Sequence, residues 1–228
     1  MYKKKSIIAI IPARGQSKRL PRKNILNLNG KPLIAWTIKA ALDSNYIDKV
    51  IVSSEDNEIL KISKENGADI IKRPIHLADD TSTTFEVLDH VLKNTRKFDY
   101  VMLLQATSPL RNSNHIDESI ELIENKKANS IVSVCKMDHS PLWSNRLPKN
   151  GSMVGFINDK IKHKRSQDLD TYYRINGAIY ITTTNLLLNN KSFFLNENIF
   201  AYKMEKKDSI DIDESLDFII AERIMQAY

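Results

Sequence analysis

The sequence predicts an α/β fold built on a mostly parallel sheet with helices on both faces. Short, continuously apolar runs recur between Ser6 and Cys135, and helix-period segments separate them. Strands that are apolar at successive positions belong in a parallel sheet covered on both sides, and the alternation supplies the covering helices. Such a sheet takes its ligands beyond the carboxyl ends of its strands. Motifs placed just after strands therefore matter most.

The elements follow in order. The first run, Ile7-Ile8-Ala9-Ile10-Ile11, comes after Lys3-Lys4-Lys5 and mimics an export leader. It is too short for one, and Arg14, Lys18 and Arg19 follow closely, so it reads as a buried strand of a cytoplasmic protein. Further strands are expected at 50–53, 69–71, 100–104 and 131–135. A helix opens near Pro32, where proline suits the first turn, and packs through Ile34, Ile38 and Leu42. A second covers 57–66 and closes at Gly67. Two more are predicted over 83–93 and 114–125.

After Met137 the pattern breaks. The stretch that follows is rich in Lys, Asn and Asp and is interrupted by Pro141, Pro148, Gly151 and Gly155. Trp143, Val154, Phe156 and Ile161 within it predict an excursion that packs against something. The core pattern resumes at 176–181. A last helix over 214–226 carries Leu216, Ile219, Ile220 and Ile224 along one side. The expectation is one domain over 1–228 with an inserted lobe at about 139–171.

Composition narrows the function classes. No apolar stretch approaches the roughly 20 residues of a membrane span. The single cysteine, Cys135, allows no internal disulfide or cysteine metal cluster and reads as a core thiol. The formal charge of +6 permits nucleic-acid binding. However, the basic residues are dispersed, and no basic helix, zinc finger or aromatic RNA motif accompanies them. The alternative use for this charge is a small phosphorylated ligand.

Three motifs speak to that. The turn after the first strand, residues 12–24, holds five cations: Arg14, Lys18, Arg19, Arg22 and Lys23. Cations and free backbone N–H groups in a tight loop suit a triphosphate. The loop matches neither common glycine-rich phosphate signature. The second motif, Gln105-Ala106-Thr107-Ser108-Pro109-Leu110-Arg111, leaves a buried strand at the ligand edge, with Gln105 placed to recognise substrate and Arg111 able to meet an anion. The third is Asp208-Ser209-Ile210-Asp211-Ile212-Asp213. In an extended chain Asp211 and Asp213 share a face, and a carboxylate pair suits Mg2+ beside substrate phosphates. Asp213 also reads as the N-cap of the last helix.

Together with Leu20-Pro21-Arg22-Lys23-Asn24, Arg73-Pro74, Leu77-Ala78-Asp79-Asp80-Thr81, His139-Ser140-Pro141-Leu142 and Arg174-Ile175-Asn176-Gly177-Ala178-Ile179-Tyr180, these stretches stand in a characteristic order. Over nearly its whole length the sequence resembles the acylneuraminate cytidylyltransferases, the bacterial CMP-sialic acid synthetases. The resemblance implies a Rossmann-like nucleotidyltransferase sheet of the GT-A-like kind. It also implies transfer of CMP from CTP to the anomeric hydroxyl of a nine-carbon acidic keto-sugar, with N-acetylneuraminic acid first and legionaminic acid next.

By the same resemblance, Arg14 and Lys23 act on the phosphates. Ala13, Gly15, Ser17, Lys18, Asn24, Arg73 and Thr84 complete the nucleotide site. Gln105, Arg165, Tyr180, Phe193 and Phe194 contact the sugar, and Asp211 and Asp213 hold Mg2+, with Mn2+ as a substitute. The lobe is implied to pair two subunits into a homodimer, with neither nucleic acid nor membrane as partner. Trp143 stands where sialate-specific relatives carry a lysine. Pseudaminate and Kdo cytidylyltransferases, or a nucleotide-binding regulator without catalysis, are the alternatives.

Overall fold

The computed structural model describes residues 2–227; Met1 and Tyr228, the ends of the expected domain, lie outside the described residues. Seven strands form the main sheet: β1 (Ile7–Pro12), β4 (Lys49–Ser54), β5 (Asp69–Lys72), β6 (Tyr100–Leu103), β7 (Ser130–Lys136), β8 (Tyr173–Thr183) and β9 (Ile199–Met204). The order across it is β5-β4-β1-β6-β8-β7-β9. A small separate hairpin pairs β2 (Asn27–Leu28) with β3 (Lys31–Pro32).

Every pairing in the main sheet is parallel except the two made by β8, which runs antiparallel to both β6 and β7. The mostly parallel sheet expected from the sequence is therefore observed, with one reversed strand. The reversal matters for function. Leu103, at the carboxyl end of β6, pairs with Tyr180, so the first half of β8 lies along the ligand edge.

Helices cover both faces. The side chains of Ile7, Ala9 and Ile11 pack with Ile34 and Ile38 of α1 (Leu33–Leu42), Ile59 of α2 (Asn57–Glu65) and Ile116 and Ile120 of α4 (Ser113–Asn125). Ile8 and Ile10 face the other way, onto Leu88 of α3 (Thr84–Lys93) and Leu187 of α5 (Thr184–Asn190). Alternation along one strand thus feeds two cores.

Local chemistry explains the boundaries. Asp56 caps α2 by accepting from the N–H groups of Glu58 and Ile59. Thr83 and Glu86 form a reciprocal capping box at α3, and Asn112 with His115 forms another at α4. Gly67 closes α2 with φ +92. Pro32 sits one residue ahead of α1 as its cap rather than inside its first turn. Leu42, expected on the packed face of α1, is 46% exposed.

The final helix, α6 (Ser215–Ala227), needs a larger correction. Phe218, Ala221 and Met225 pack against Leu28 and Leu33, whereas Leu216, Ile219 and Ile220 face outward. The helix is apolar on two sides, and its sequence does not say which side meets the core. The segment between β7 and β8 contains only two short 3-10 turns, Pro141–Trp143 and Ser166–Asp168. Trp143, Phe156 and Ile161 are partly covered, but Val154 is 95% exposed. No helix among the described residues is long and apolar enough to cross a membrane.

Candidate active site

The carboxyl edge of the sheet carries three cavities that share walls. Arg14, Lys23, Asn24, Gln105, Asp211 and Asp213 line a central one of about 310 Å3. Arg14 also lines a second with Arg73 and Asp80. Gln105 also lines a third, of about 290 Å3, with Tyr180, Phe193 and Phe194. Thr84, at the start of α3, borders all three.

The loop after β1 is held open by its own cross-links. Asn24 Nδ2 donates to the Arg14 carbonyl at 2.9 Å, closing the loop across its base. Arg22 is clamped to Asp56 and Glu58 at the start of α2. Gly15 fits only without a side chain, since a Cβ there would lie 2.5 Å from an Asp56 carboxylate oxygen. The loop's backbone donors are less free than the sequence suggested. Ala13 N–H bonds to the Ser53 carbonyl at 3.0 Å, and Gly15 N–H bonds to Glu55 at 2.7 Å. Cations, more than these two amides, face the cleft.

Each of these cations already has a carboxylate. Arg14 meets Asp80 at 2.8 Å, and Lys18 meets the other oxygen of Asp80. Hydrogen bonds from Lys18 and Arg14 hold the Asp80 carboxyl below its ordinary range. Lys23 donates to Asp213 at 3.1 Å and to the Ile212 carbonyl at 2.6 Å, and Arg19 reaches the same carboxylate at 2.9 Å. Gly15, Ser17 and Lys18 line a further cavity with Arg22 and Asp56.

Asp211 and Asp213 reach the cleft because Ile212 between them is fully buried and its N–H bonds to the Thr107 carbonyl at 2.8 Å. That bond ties the segment to the exit of β6. The two carboxylates then experience different fields. Burial pushes the Asp211 carboxyl up, with the Thr107 side chain opposing and Asp213 adding to the rise. Burial acts upward on Asp213 too, but Lys23 and Arg19 outweigh it and lower that carboxyl. Asp211 Oδ1 is buried with no hydrogen-bond partner, a costly arrangement that invites a cation. Asp213 does not cap α6. Asp217 accepts from the N–H groups of Asp213 and Glu214 instead, both at 2.9 Å.

The aromatic end is equally specific. Tyr180 packs 5.5 Å from Phe193 and 6.3 Å from Phe194 between ring centroids. Burial, aided by Asp211, raises the Tyr180 phenol. Gly177, with φ +76, brings the backbone so close that a Cβ would lie 2.6 Å from Gln105 Oε1.

The chain's match to a family model described as cytidylyltransferase runs over residues 8–227. The chain belongs to the cytidylyltransferase family. It is 39% identical over 221 residues to the N-acylneuraminate cytidylyltransferase of Escherichia coli O18:K1:H7, covering 96% of this chain and 52% of that protein. It is 37% identical over 231 residues to the CMP-N,N'-diacetyllegionaminic acid synthase of Legionella pneumophila, covering 96% of each. The chain spans about half the length of the N-acylneuraminate cytidylyltransferases it matches. Among solved structures, a CMP:2-keto-3-deoxy-manno-octonic acid synthetase complexed with CTP superposes with a TM-score of 0.74 at 17% identity, covering 97% of this chain and 99% of that one. The 4-diphosphocytidyl-2C-methyl-D-erythritol synthase of Anaerococcus prevotii gives 0.68 at 16% identity, covering 97% and 99%. The cytidylyltransferase fold is thus shared by chains of low identity.

Of the residues expected from the sequence in this member of the cytidylyltransferase family, the cleft gathers Arg14, Lys23, Asn24, Arg73, Thr84, Gln105, Tyr180, Phe193, Phe194, Asp211 and Asp213. Arg165 stands apart in the lobe, paired with Asp168 at 3.1 Å and lining none of these cavities. Arg111 does not face an anion. It is 1% exposed and turned inward to Thr37 at 2.7 Å, and burial pushes its guanidinium down to about 9. Sequence reasoning missed Asp80 and Glu55 as partners of the loop. It quoted Asp80 within Leu77-Ala78-Asp79-Asp80-Thr81, but the pairing across more than sixty residues has no signature in the sequence. Glu55 also fixes Arg73 at 3.0 Å.

Proposed function

We propose that this chain transfers CMP from CTP to the anomeric hydroxyl of a nine-carbon acidic keto-sugar and releases pyrophosphate. The supporting observation is the single cleft that Arg14, Lys23, Asp211, Asp213 and Gln105 line at the carboxyl edge, opening into an aromatic cavity. N-acetylneuraminic acid is the first candidate acceptor and legionaminic acid the second, since relatives named for each lie at similar identity.

The residues account for the reaction as follows. CTP phosphates displace Asp80 from Arg14 and Lys18 and draw Lys23 away from Asp213, exchanging carboxylate for phosphate partners. Thr84 and Arg73 flank the cytidine side, with Arg73 held rigid by Glu55. Gln105 and Tyr180 orient the sugar. Tyr180 stays protonated near neutral pH and donates a hydrogen bond rather than taking a proton. The anomeric oxygen forms its bond to the α-phosphorus as the bond to the β-phosphate oxygen breaks, and the hydroxyl proton is released. Arg14 and Lys23 neutralise charge on the phosphates, so catalysis rests on positioning and electrostatics.

The orphaned Asp211 oxygen and the adjacent Asp213 fit a divalent cation that prefers carboxylates and phosphate oxygens, and Asp211 and Asp213 would hold it. When bound there, Mg2+ supplies charge neutralisation at the phosphates and lowers the pKa of a coordinated hydroxyl. Mn2+ would serve in its place. The exposed apolar residues of the lobe, Leu147, Met153 and Val154, support a homodimer formed through that lobe. A cytoplasmic location and indifference to nucleic acid belong to the same reading.

The test incubates purified protein with CTP, Mg2+ and, separately, N-acetylneuraminic, legionaminic, pseudaminic and Kdo acids, and measures pyrophosphate release. Release is expected with the first or second acid. Release with Kdo alone would reassign the acceptor, and none with any acid would leave a nucleotide-binding role.

A further inference from the structure

Glu55, the first residue beyond β4, joins two parts of the cleft that lie far apart in the sequence. One of its carboxylate oxygens accepts from the Gly15 N–H of the β1 loop at 2.7 Å. The other accepts from Arg73 Nε at 3.2 Å and Nη2 at 3.0 Å. Both side chains of this ion pair are enclosed, Arg73 at 4% exposure and Glu55 at 9%. Backbone bonds already dock the two chains onto the end of β4: Ala13 N–H meets the Ser53 carbonyl and Arg73 N–H the Ser54 carbonyl, both at 3.0 Å. Glu55 adds the side-chain link between them.

Its place differs from that of Asp80. Asp80 lines the cavity shared by Arg14 and Arg73, where a phosphate can take its position. Glu55 stands behind that cavity and lines the one beside it. Its contacts therefore survive when a ligand enters. The cavity also needs it, because two arginines share one wall. Burial pushes the Arg73 guanidinium down, Glu55 opposes that fall, and Arg14 adds to it. A buried cation beside a second cation requires a fixed counter-charge to stay ionised and aimed.

We propose that Glu55 is a positioning residue for the nucleotide, locking the β1 loop and Arg73 into one register so that both sides of the nucleotide cavity bind as a unit. This rests on the function proposed above for the identity of the nucleotide, CTP.

The test is calorimetric titration of CTP with Mg2+, without acceptor, into the full chain as wild type, Glu55→Gln, Glu55→Asp, Arg73→Met and the Glu55→Gln/Arg73→Met pair, with thermal unfolding of each. Glutamine keeps the length of the side chain but accepts from only one of the two partners. Loss of a hydrogen bond to a charged group predicts that Glu55→Gln raises the Kd for CTP by about ten- to a hundredfold. In steady-state kinetics the KM for CTP rises with it, while the KM for the acceptor stays that of wild type. In the Arg73→Met background the same change weakens CTP far less, the non-additivity expected of residues that act together. If Glu55→Gln does not fold, Glu55→Asp carries the test, since it keeps the charge but is too short to reach both partners. An unchanged Kd for CTP in the folded variant, or an equal loss in both backgrounds, would overturn the proposal. Failure of the wild type to bind CTP would instead strike the functional reading on which it rests.

Discussion

Asp211 and Asp213 look interchangeable in the sequence, two carboxylates one residue apart. In the fold, one is buried with an orphaned oxygen while the other is neutralised by Lys23 and Arg19. That difference was not legible, because it depends on cations brought from almost two hundred residues away. The loop cations themselves were legible, since five charges directly after a buried strand have few structural uses. What the sequence concealed was their company, Asp80 and Asp213. Arg111 shows the reverse case, a cation expected near an anion that is instead wholly enclosed. At Gly177, positive φ and the close approach of Gln105 combine. Gly177→Ala should cost about 1–2 kcal/mol of stability and displace Gln105. Thermal unfolding should show the first. The second should appear as a raised KM for the acceptor at an unchanged KM for CTP.

Helix bounds were legible to within a residue for α2, α3 and α4, and Gly67 terminates α2 as expected. The caps Thr83 and Asn112 were not singled out, and the cap expected at Asp213 is not made, although capping is a local chemistry written in adjacent residues. The packed side of α6 is not local, and there the pattern pointed outward. The sequence reading missed the small β2–β3 hairpin, helix α5 and strand β9. Helix α5 has seven residues, too few to display a period, and edge strand β9 alternates too irregularly to stand out. Asp56 offers a test at this scale. Its hydrogen bond from Arg22, together with the N–H groups of Ile59 and Glu58, lowers its carboxyl below the ordinary value. A group whose pKa is lowered by folding stabilises above its unfolded pKa and loses that contribution as pH falls through the folded one. Asp56→Ala should therefore cost about 1 kcal/mol near neutral pH. Urea titrations should show the gap to wild type closing below about pH 4.

Over the whole molecule, the sheet's class could be read but its topology could not. A strand's direction depends on where the chain returns after the lobe, and no residue in 176–181 encodes that β8 enters antiparallel between β6 and β7. This one reversal brings Tyr180 and Gly177 to the edge where β1 delivers Arg14 and β6 delivers Gln105. The lobe has the opposite character: it was visible as a break in pattern, yet it leaves Val154 almost fully exposed. A side chain of that kind is expected to be covered by a second copy in the proposed homodimer. Val154→Asp should shift the molecule from dimer to monomer in analytical ultracentrifugation, while the melting temperature of the isolated chain stays close to that of wild type. A wild-type protein that sediments as a monomer at micromolar concentration would remove the dimer from the account.

The central claim is that the cleft between the β1 loop and the Asp211–Asp213 pair transfers CMP from CTP. It is tested most directly by quantifying products from CTP, Mg2+ and N-acetylneuraminic acid with wild type and Asp211→Ala side by side. The account predicts equal amounts of pyrophosphate and CMP-sugar from the wild type, and loss of both by about a hundred- to a thousandfold in the variant, the scale of removing a main electrostatic element. Full turnover by Asp211→Ala, or pyrophosphate released without CMP-sugar by the wild type, would contradict it.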